Sequence, residues 1–105
     1  MRGLLFLLVL AVSASAAVGC GGVYYTVSMN AATSRLEQAQ QMGAESKAPF
    51  EYYYAREHLR QAQVEAAEAS YSDAASYAET AELYAQKAID SMVAAKREGR
   101  AGETK

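Results

Sequence analysis

Apolar residues recur three and four positions apart from Met29 to Ala95, the spacing that places side chains on one face of an α-helix. Two interruptions divide this pattern into three segments, which predict helices over about 27–42, 49–70 and 73–96. The predicted inward positions are Met29, Ala32, Leu36, Ala39 and Gly43; then Tyr52, Ala55, Leu59, Ala62, Ala66 and Ala69; then Ala74, Ala78, Ala81, Ala85, Ala88, Met92 and Ala95. The predicted fold class is therefore all-α, a small domain of three helices.

The interruptions indicate how the helices are connected. Gly43 suits the C-terminus of the first helix, and Pro49 suits the first turn of the second. Either Ser46 or Ala48 could cap the second helix. Only Ser70–Ser72 separates the second helix from the third, so these two are expected to form an antiparallel hairpin.

Alanine dominates the inward positions of the hairpin. It favours the helix but buries little area per residue, so a tight and weakly stabilised domain is expected over residues 29–96. Self-association or a partner would supplement so small a core. Packing of the first helix on the hairpin is left open, and the charged, glycine-containing segment 97–105 is predicted to be a disordered tail.

The first residues have the pattern of a secretory signal peptide. Arg2 is positive, the run from Leu4 to Val12 is strongly apolar, and small residues follow up to Gly19. This predicts a leader over residues 1–19, cleavage between Gly19 and Cys20, and a tether over residues 20–28.

The run from Ala17 to Cys20, Ala-Val-Gly-Cys, resembles the lipobox of bacterial lipoproteins, although alanine replaces the usual leucine at its first position. The resemblance implies that Cys20 carries lipid and attaches the chain to a membrane. Because Gly21 is not aspartate, it also implies an outer-membrane lipoprotein facing the periplasm. The alternative is an uncleaved membrane span, because no charge occurs between Gly3 and Ser34, but serine and glycine interrupt that run.

Charge and cysteine content narrow the function classes. The formal net charge is -2, and it becomes -3 without Arg2 because nine basic residues then stand against twelve acidic ones. Since nucleic-acid binding needs a basic face, this charge excludes a nucleic-acid partner. Cys20 is the only cysteine, so no disulfide can form within the chain.

No constellation typical of catalysis is found. The single histidine, His58, has Tyr54 and Ala62 among its helical neighbours and no carboxylate or thiol. The acidic pairs Glu65/Glu68 and Glu79/Glu82 indicate solvated faces. We therefore expect no catalytic residue, no cofactor and no metal ion, and a protein that is not an enzyme.

Tyr53, Arg56 and Arg60 are expected on one face of the second helix. One interpretation is a contact patch for peptidoglycan or a protein partner, since exposed Tyr and Arg are typical anchors. The other is that the ring covers a neighbouring helix and the arginines are solvated. Phe50 and Tyr54 share a face that the first helix could cover, while Tyr77 and Tyr84 would pack beside that helix or along the hairpin edge.

The segment from Met29 to Met92 resembles the short bacterial lipoproteins known as "domain of unknown function 4398". The matching residues are Ala32, Leu36 and Ala39; Gly43-Ala44 through Ala48-Pro49; Ala55, Leu59 and Ala62; and Tyr71-Ser72-Asp73-Ala74. The hairpin is also similar to half of a tetratricopeptide unit. The family resemblance implies an envelope lipoprotein without assigned catalytic residues.

The sequence suggests two alternative functions. The first is a membrane-anchored, non-catalytic accessory or scaffold subunit for another envelope protein. The alternative is a module that contacts peptidoglycan through Tyr53, Arg56 and Arg60, or through Lys105, which is similar in position to the wall-linked C-terminal lysine of Braun-type lipoproteins.

Overall fold

The chain is all-α in the computed structural model, which describes residues 1–7 and 19–103. Residues 2–7 form a short helix, α1. The remaining helices are α2 (Gly19–Gln41), α3 (Ala44–Lys47), α4 (Pro49–Ala67) and α5 (Tyr71–Glu103). No strand occurs in the described part of the chain, so the predicted fold class is confirmed.

The long helices α2, α4 and α5 pack side by side, with α5 in extensive contact with the other two. The hairpin of α4 and α5 is antiparallel, as predicted. Helix α2 runs parallel to α5: a Cβ on Gly21 would lie 3.6 Å from the Cβ of Tyr71 near their first turns, and Ala39 joins Ala88 and Met92 in one cluster further along. The first long helix therefore packs on the hairpin.

Most of the buried residues are alanines, which allow the helices to approach closely. The inward positions predicted for α5 from Ala74 to Met92 are all buried, whereas Ala95 is exposed. Among the described residues, the larger buried side chains lie at the end where α2 stops. There Tyr52, Ile89 and Met92 are buried, with Leu36 packed against them.

The turns follow helix-ending chemistry. Gly43 has a φ of 85°, the left-handed conformation in which glycine ends a helix, and Pro49 occupies the first turn of α4 as predicted. Ala48 precedes α4 without a side-chain cap. The hairpin turn is Glu68–Ser70 rather than Ser70–Ser72, because the Ala69 and Ser70 amides donate back to the carbonyls of Ala66 and Glu65 and end α4 earlier.

Both ends of the domain are more helical than the sequence pattern suggested. The segment 20–28, predicted to be a tether, belongs to α2, since contacts with α5 support its glycine-rich first turns: the rings of Tyr25 and Tyr71 are 6.0 Å apart. The segment 97–103, predicted to be disordered, continues α5. It contains no proline, and an isolated glycine costs a helix only about 1 kcal/mol.

Candidate functional site

Five rings lie together along one side of the α4–α5 hairpin. Phe50, Tyr54 and His58 are spaced four apart on α4, and Tyr77 and Tyr84 are seven apart on α5, so each set follows one helical face. We call these five residues the aromatic face.

The rings of the aromatic face contact one another across the two helices. The Tyr54 and Tyr84 centroids are 4.1 Å apart, and the Phe50 ring meets the Tyr84 ring edge-on at 6.2 Å. His58 stacks on Tyr54 at 4.2 Å and lies 5.9 Å from Tyr77. The Phe50 side chain is 65% exposed, and the other four rings of the aromatic face are half-buried, so the face is partly open to solvent.

Helix α2 covers the opposite side of α5. Glu79 follows Tyr77 by two positions, about 200° around the helix. Its carboxylate accepts a hydrogen bond from the hydroxyl of Tyr24 on α2, which raises the pKa of Tyr24. The sequence expectation that the first helix covers Phe50 and Tyr54 is therefore wrong, while Tyr77 and Tyr84 do lie along the hairpin edge.

An open groove of about 470 Å³ adjoins the aromatic face at His58 and Tyr77. The groove is lined by His58, Glu65, Asp73, Ser76, Tyr77 and Thr80, and we call it the acidic groove. It contains two carboxylates and no lysine or arginine. One Glu65 oxygen accepts a hydrogen bond from the Gln61 amide at 3.0 Å.

His58 has a defined orientation at the junction of the aromatic face and the acidic groove. Its Nδ1 lies 2.9 Å from the Tyr54 carbonyl oxygen, to which only an Nδ1–H can donate. In the neutral imidazole, Nε2 is then an acceptor. Among residues 1–7 and 19–103, no three His, Cys, Asp or Glu side chains lie close enough together to hold a metal ion.

The structure brings the predicted contact residues Tyr53, Arg56 and Arg60 onto one exposed surface of α4, but each has an internal partner. The Arg56 guanidinium lies 4.6 Å from the centre of the Tyr53 ring, and Arg60 pairs with Glu57 at 3.1 Å. The Tyr53 hydroxyl donates to Glu45 on α3 at 3.1 Å, and this hydrogen bond raises the pKa of Tyr53.

The residues predicted for cleavage and lipid attachment, Gly19 and Cys20, form the start of α2. The apolar leader segment 8–18 and Lys105 lie outside the described residues. Among the helices that the structure describes, none is both long and apolar enough to span a bilayer.

The sequence pattern did not reveal the acidic groove. The sequence predicts solvated faces for Glu65 and Glu79. Glu79 is exposed and also accepts a hydrogen bond from α2, whereas Glu65 is half-buried in the groove. The sequence does contain a signal for the neighbouring aromatic face. Phe50, Tyr54 and His58 are spaced four residues apart, which places them in one row along α4.

The fold and site define an all-α protein whose three long helices leave an aromatic surface on one side of a hairpin. The chain belongs to the family described as "Domain of unknown function (DUF4398)", whose sequence model matches residues 27–104. That range contains the whole aromatic face and the acidic groove. No match was found among the curated proteins or among the solved structures.

Proposed function

We propose that this protein is an envelope lipoprotein, anchored through lipid on Cys20, that acts as a non-catalytic accessory or scaffold subunit for another envelope protein. The observation that supports this function best is the aromatic face, which is partly open to solvent while α2 occupies the other side of α5. Exposed apolar and aromatic surface is characteristic of protein contact sites.

The anchor and the aromatic face fit one arrangement. Gly21 lies beside Tyr71, so the start of α2 and the start of α5 are at the same end of the domain. A lipid on Cys20 would hold this end at the membrane surface, with α5 extending about 50 Å away from it. The outer membrane, with the domain in the periplasm, is the proposed location, and the partner is an envelope protein within that reach.

Contact with peptidoglycan through Tyr53, Arg56 and Arg60 is the weaker alternative. The Tyr53 hydroxyl, the Arg56 guanidinium and the Arg60 side chain each already have a partner within the chain. Binding a wall fragment there would require exchange of these contacts, whereas the Phe50 ring of the aromatic face is 65% exposed.

Site-specific photocrosslinking in whole cells separates the two functions. A photoreactive residue at Phe50 samples the aromatic face, and the same residue at Arg60, exposed on the same helix, is the matched control. We expect one discrete protein adduct from position 50, lost when Tyr84→Ala is added and the helical content is unchanged. The absence of an adduct from position 50 would overturn the docking function. Binding of the protein to purified sacculi, if the double variant Tyr53→Ala with Arg60→Ala abolishes it, would also overturn the docking function.

A further inference from the structure

The lining of the acidic groove is rich in hydrogen-bond acceptors. Glu65 and Asp73 contribute carboxylates, and Ser76 and Thr80 contribute hydroxyl oxygens. The Thr80 hydroxyl is already committed as a donor to the Ser76 carbonyl at 3.1 Å. A ligand that supplies donors and positive charge therefore matches this lining better than an anion or an apolar group.

Two tyrosines of the hairpin already hold cations against their ring faces. The Lys87 ammonium lies 4.3 Å from the centre of the Tyr84 ring, and Arg56 lies 4.6 Å from the centre of the Tyr53 ring. Each cation stands three positions after its tyrosine on the same helix, and a tyrosine face attracts a positive charge placed against it. Tyr77, which lines the acidic groove, has a ring but no such cation among the described residues.

The charge is polarised along the aromatic face. Lys87 lies ten residues beyond Tyr77 on α5, about 15 Å along the helix axis. A ligand lying on the face therefore meets carboxylates at the Glu65 end and the Lys87 ammonium at the Tyr84 end. The aromatic face and the acidic groove together extend about 22 Å along α4 from Phe50 to Glu65, which is the length of a four-turn helix.

We propose that the acidic groove binds an arginine side chain of the protein partner, with the rest of the bound segment lying along the aromatic face. This deepens the proposed docking function and rests on it. The guanidinium has five donors and no acceptor, so it complements the two carboxylates, and its flat face can lie on the Tyr77 ring. The segment's apolar side chains then contact Phe50 and Tyr84, away from its own charge.

Binding of a designed helical peptide to the full chain in detergent tests the proposal. The probe is an alanine-based peptide of about sixteen residues, about 24 Å as a helix, with arginines near one end and leucines near the other. A second peptide replaces its arginines with glutamine, and a short N-acetylglucosamine oligomer is the third probe. Ring resonances of His58 and Tyr77, followed by NMR, report occupancy of the groove.

We expect the arginine peptide to shift these resonances and the glutamine peptide to bind more weakly. Glu65→Gln with Asp73→Asn should weaken binding by about threefold to tenfold, the range for two exposed ion pairs. The control, Glu98→Gln with Glu103→Gln, changes the net charge equally on the exposed end of α5 and should leave binding unchanged. Glu65→Gln alone retains the acidic first turn of α5 and should show part of the loss.

Equal binding of the two peptides, equal loss in both double variants, or resonance shifts caused by the sugar oligomer alone would overturn the arginine assignment. Crosslinking from Phe50 distinguishes this failure from failure of the docking function. If the adduct persists in cells carrying Glu65→Gln with Asp73→Asn while the peptides show no preference for arginine, docking stands and the arginine site is refuted.

Discussion

The His58 imidazole stacks on the Tyr54 ring one turn earlier in α4, with centroids 4.2 Å apart and planes inclined by 27°. In the same pair, His58 Nδ1 lies 2.9 Å from the Tyr54 carbonyl oxygen. The stack and the hydrogen bond together fix the imidazole between Tyr54 and Tyr77, so this histidine connects the rings on α4 with those on α5.

Replacing His58 should therefore weaken the hairpin. His58→Ala removes the ring and is expected to lower the free energy of unfolding by about 1 kcal/mol, the range for an aromatic pair. His58→Phe keeps the stack and should lose less. Urea unfolding followed by far-ultraviolet circular dichroism measures both, with exposed Gln63→Ala as the control. If His58→Ala and Gln63→Ala are equally stable, the stack contributes nothing to the fold.

The aromatic face illustrates what the sequence pattern can predict. The four-residue spacing of Phe50, Tyr54 and His58 places them on one side of α4, and the seven-residue spacing of Tyr77 and Tyr84 does the same on α5. The pairing of Tyr54 with Tyr84 depends on the hairpin register, which the turn at Glu68–Ser70 sets. The sequence pattern predicts that turn two residues too late, so the cross-helix contacts do not follow from it.

The buried residues of α5 show a second reason why the sequence pattern predicts only part of the packing. Periodicity identified Ala78 and Ala85 correctly, because one apolar face was sufficient to find them. Ala75 and Ile89 were missed although both are buried. Helix α5 contacts α2 as well as α4, and a pattern that assigns one inward face to each helix cannot show a second contact surface.

The hairpin turn offers a test of backbone strain. Ala69 has a φ of 60°, the left-handed region in which a Cβ costs about 1 kcal/mol. We expect Ala69→Gly to stabilise the protein by about 0.5 kcal/mol, since glycine relieves this strain but adds flexibility to the unfolded chain. The control is Ala67→Gly, inside the last turn of α4, which should destabilise by about 0.5–1 kcal/mol. Thermal unfolding that ranks the two variants in the opposite order would contradict this account.

Tyr53 provides a pH-dependent test. Its hydroxyl donates to the Glu45 carboxylate, and this interaction raises the pKa of Tyr53 above the ordinary value of 10.0. Because the folded pKa is raised, the stabilisation is present below pH 10 and is lost as the pH rises through the folded pKa. The difference in stability between the wild type and Tyr53→Phe should therefore shrink at alkaline pH.

Ultraviolet titration of tyrosine ionisation checks the same pair directly. Tyr53→Phe should remove a component that titrates above 10.0, and Glu45→Gln should shift that component downward. Glu98→Gln, which is exposed and remote in sequence, is the control. An unchanged titration curve in Glu45→Gln would show that the Glu45 carboxylate does not act on Tyr53.

The proposed lipid attachment at Cys20 can be tested by protein mass and membrane fractionation. Each buried CH₂ of an acyl chain contributes about 0.8 kcal/mol, so several chains would keep the protein in the membrane fraction through high-salt washing. We expect the wild-type protein to have the mass of residues 20–105 plus lipid, and Cys20→Ala to lack the lipid mass. Val23→Ala, exposed on the following turn of α2, should behave as the wild type. If location is most of the function, Cys20→Ala should also reduce the adduct formed from Phe50, although the aromatic face is unchanged. A wild-type protein without lipid mass, or an undiminished adduct from a Cys20→Ala protein released into the soluble fraction, would refute the anchor.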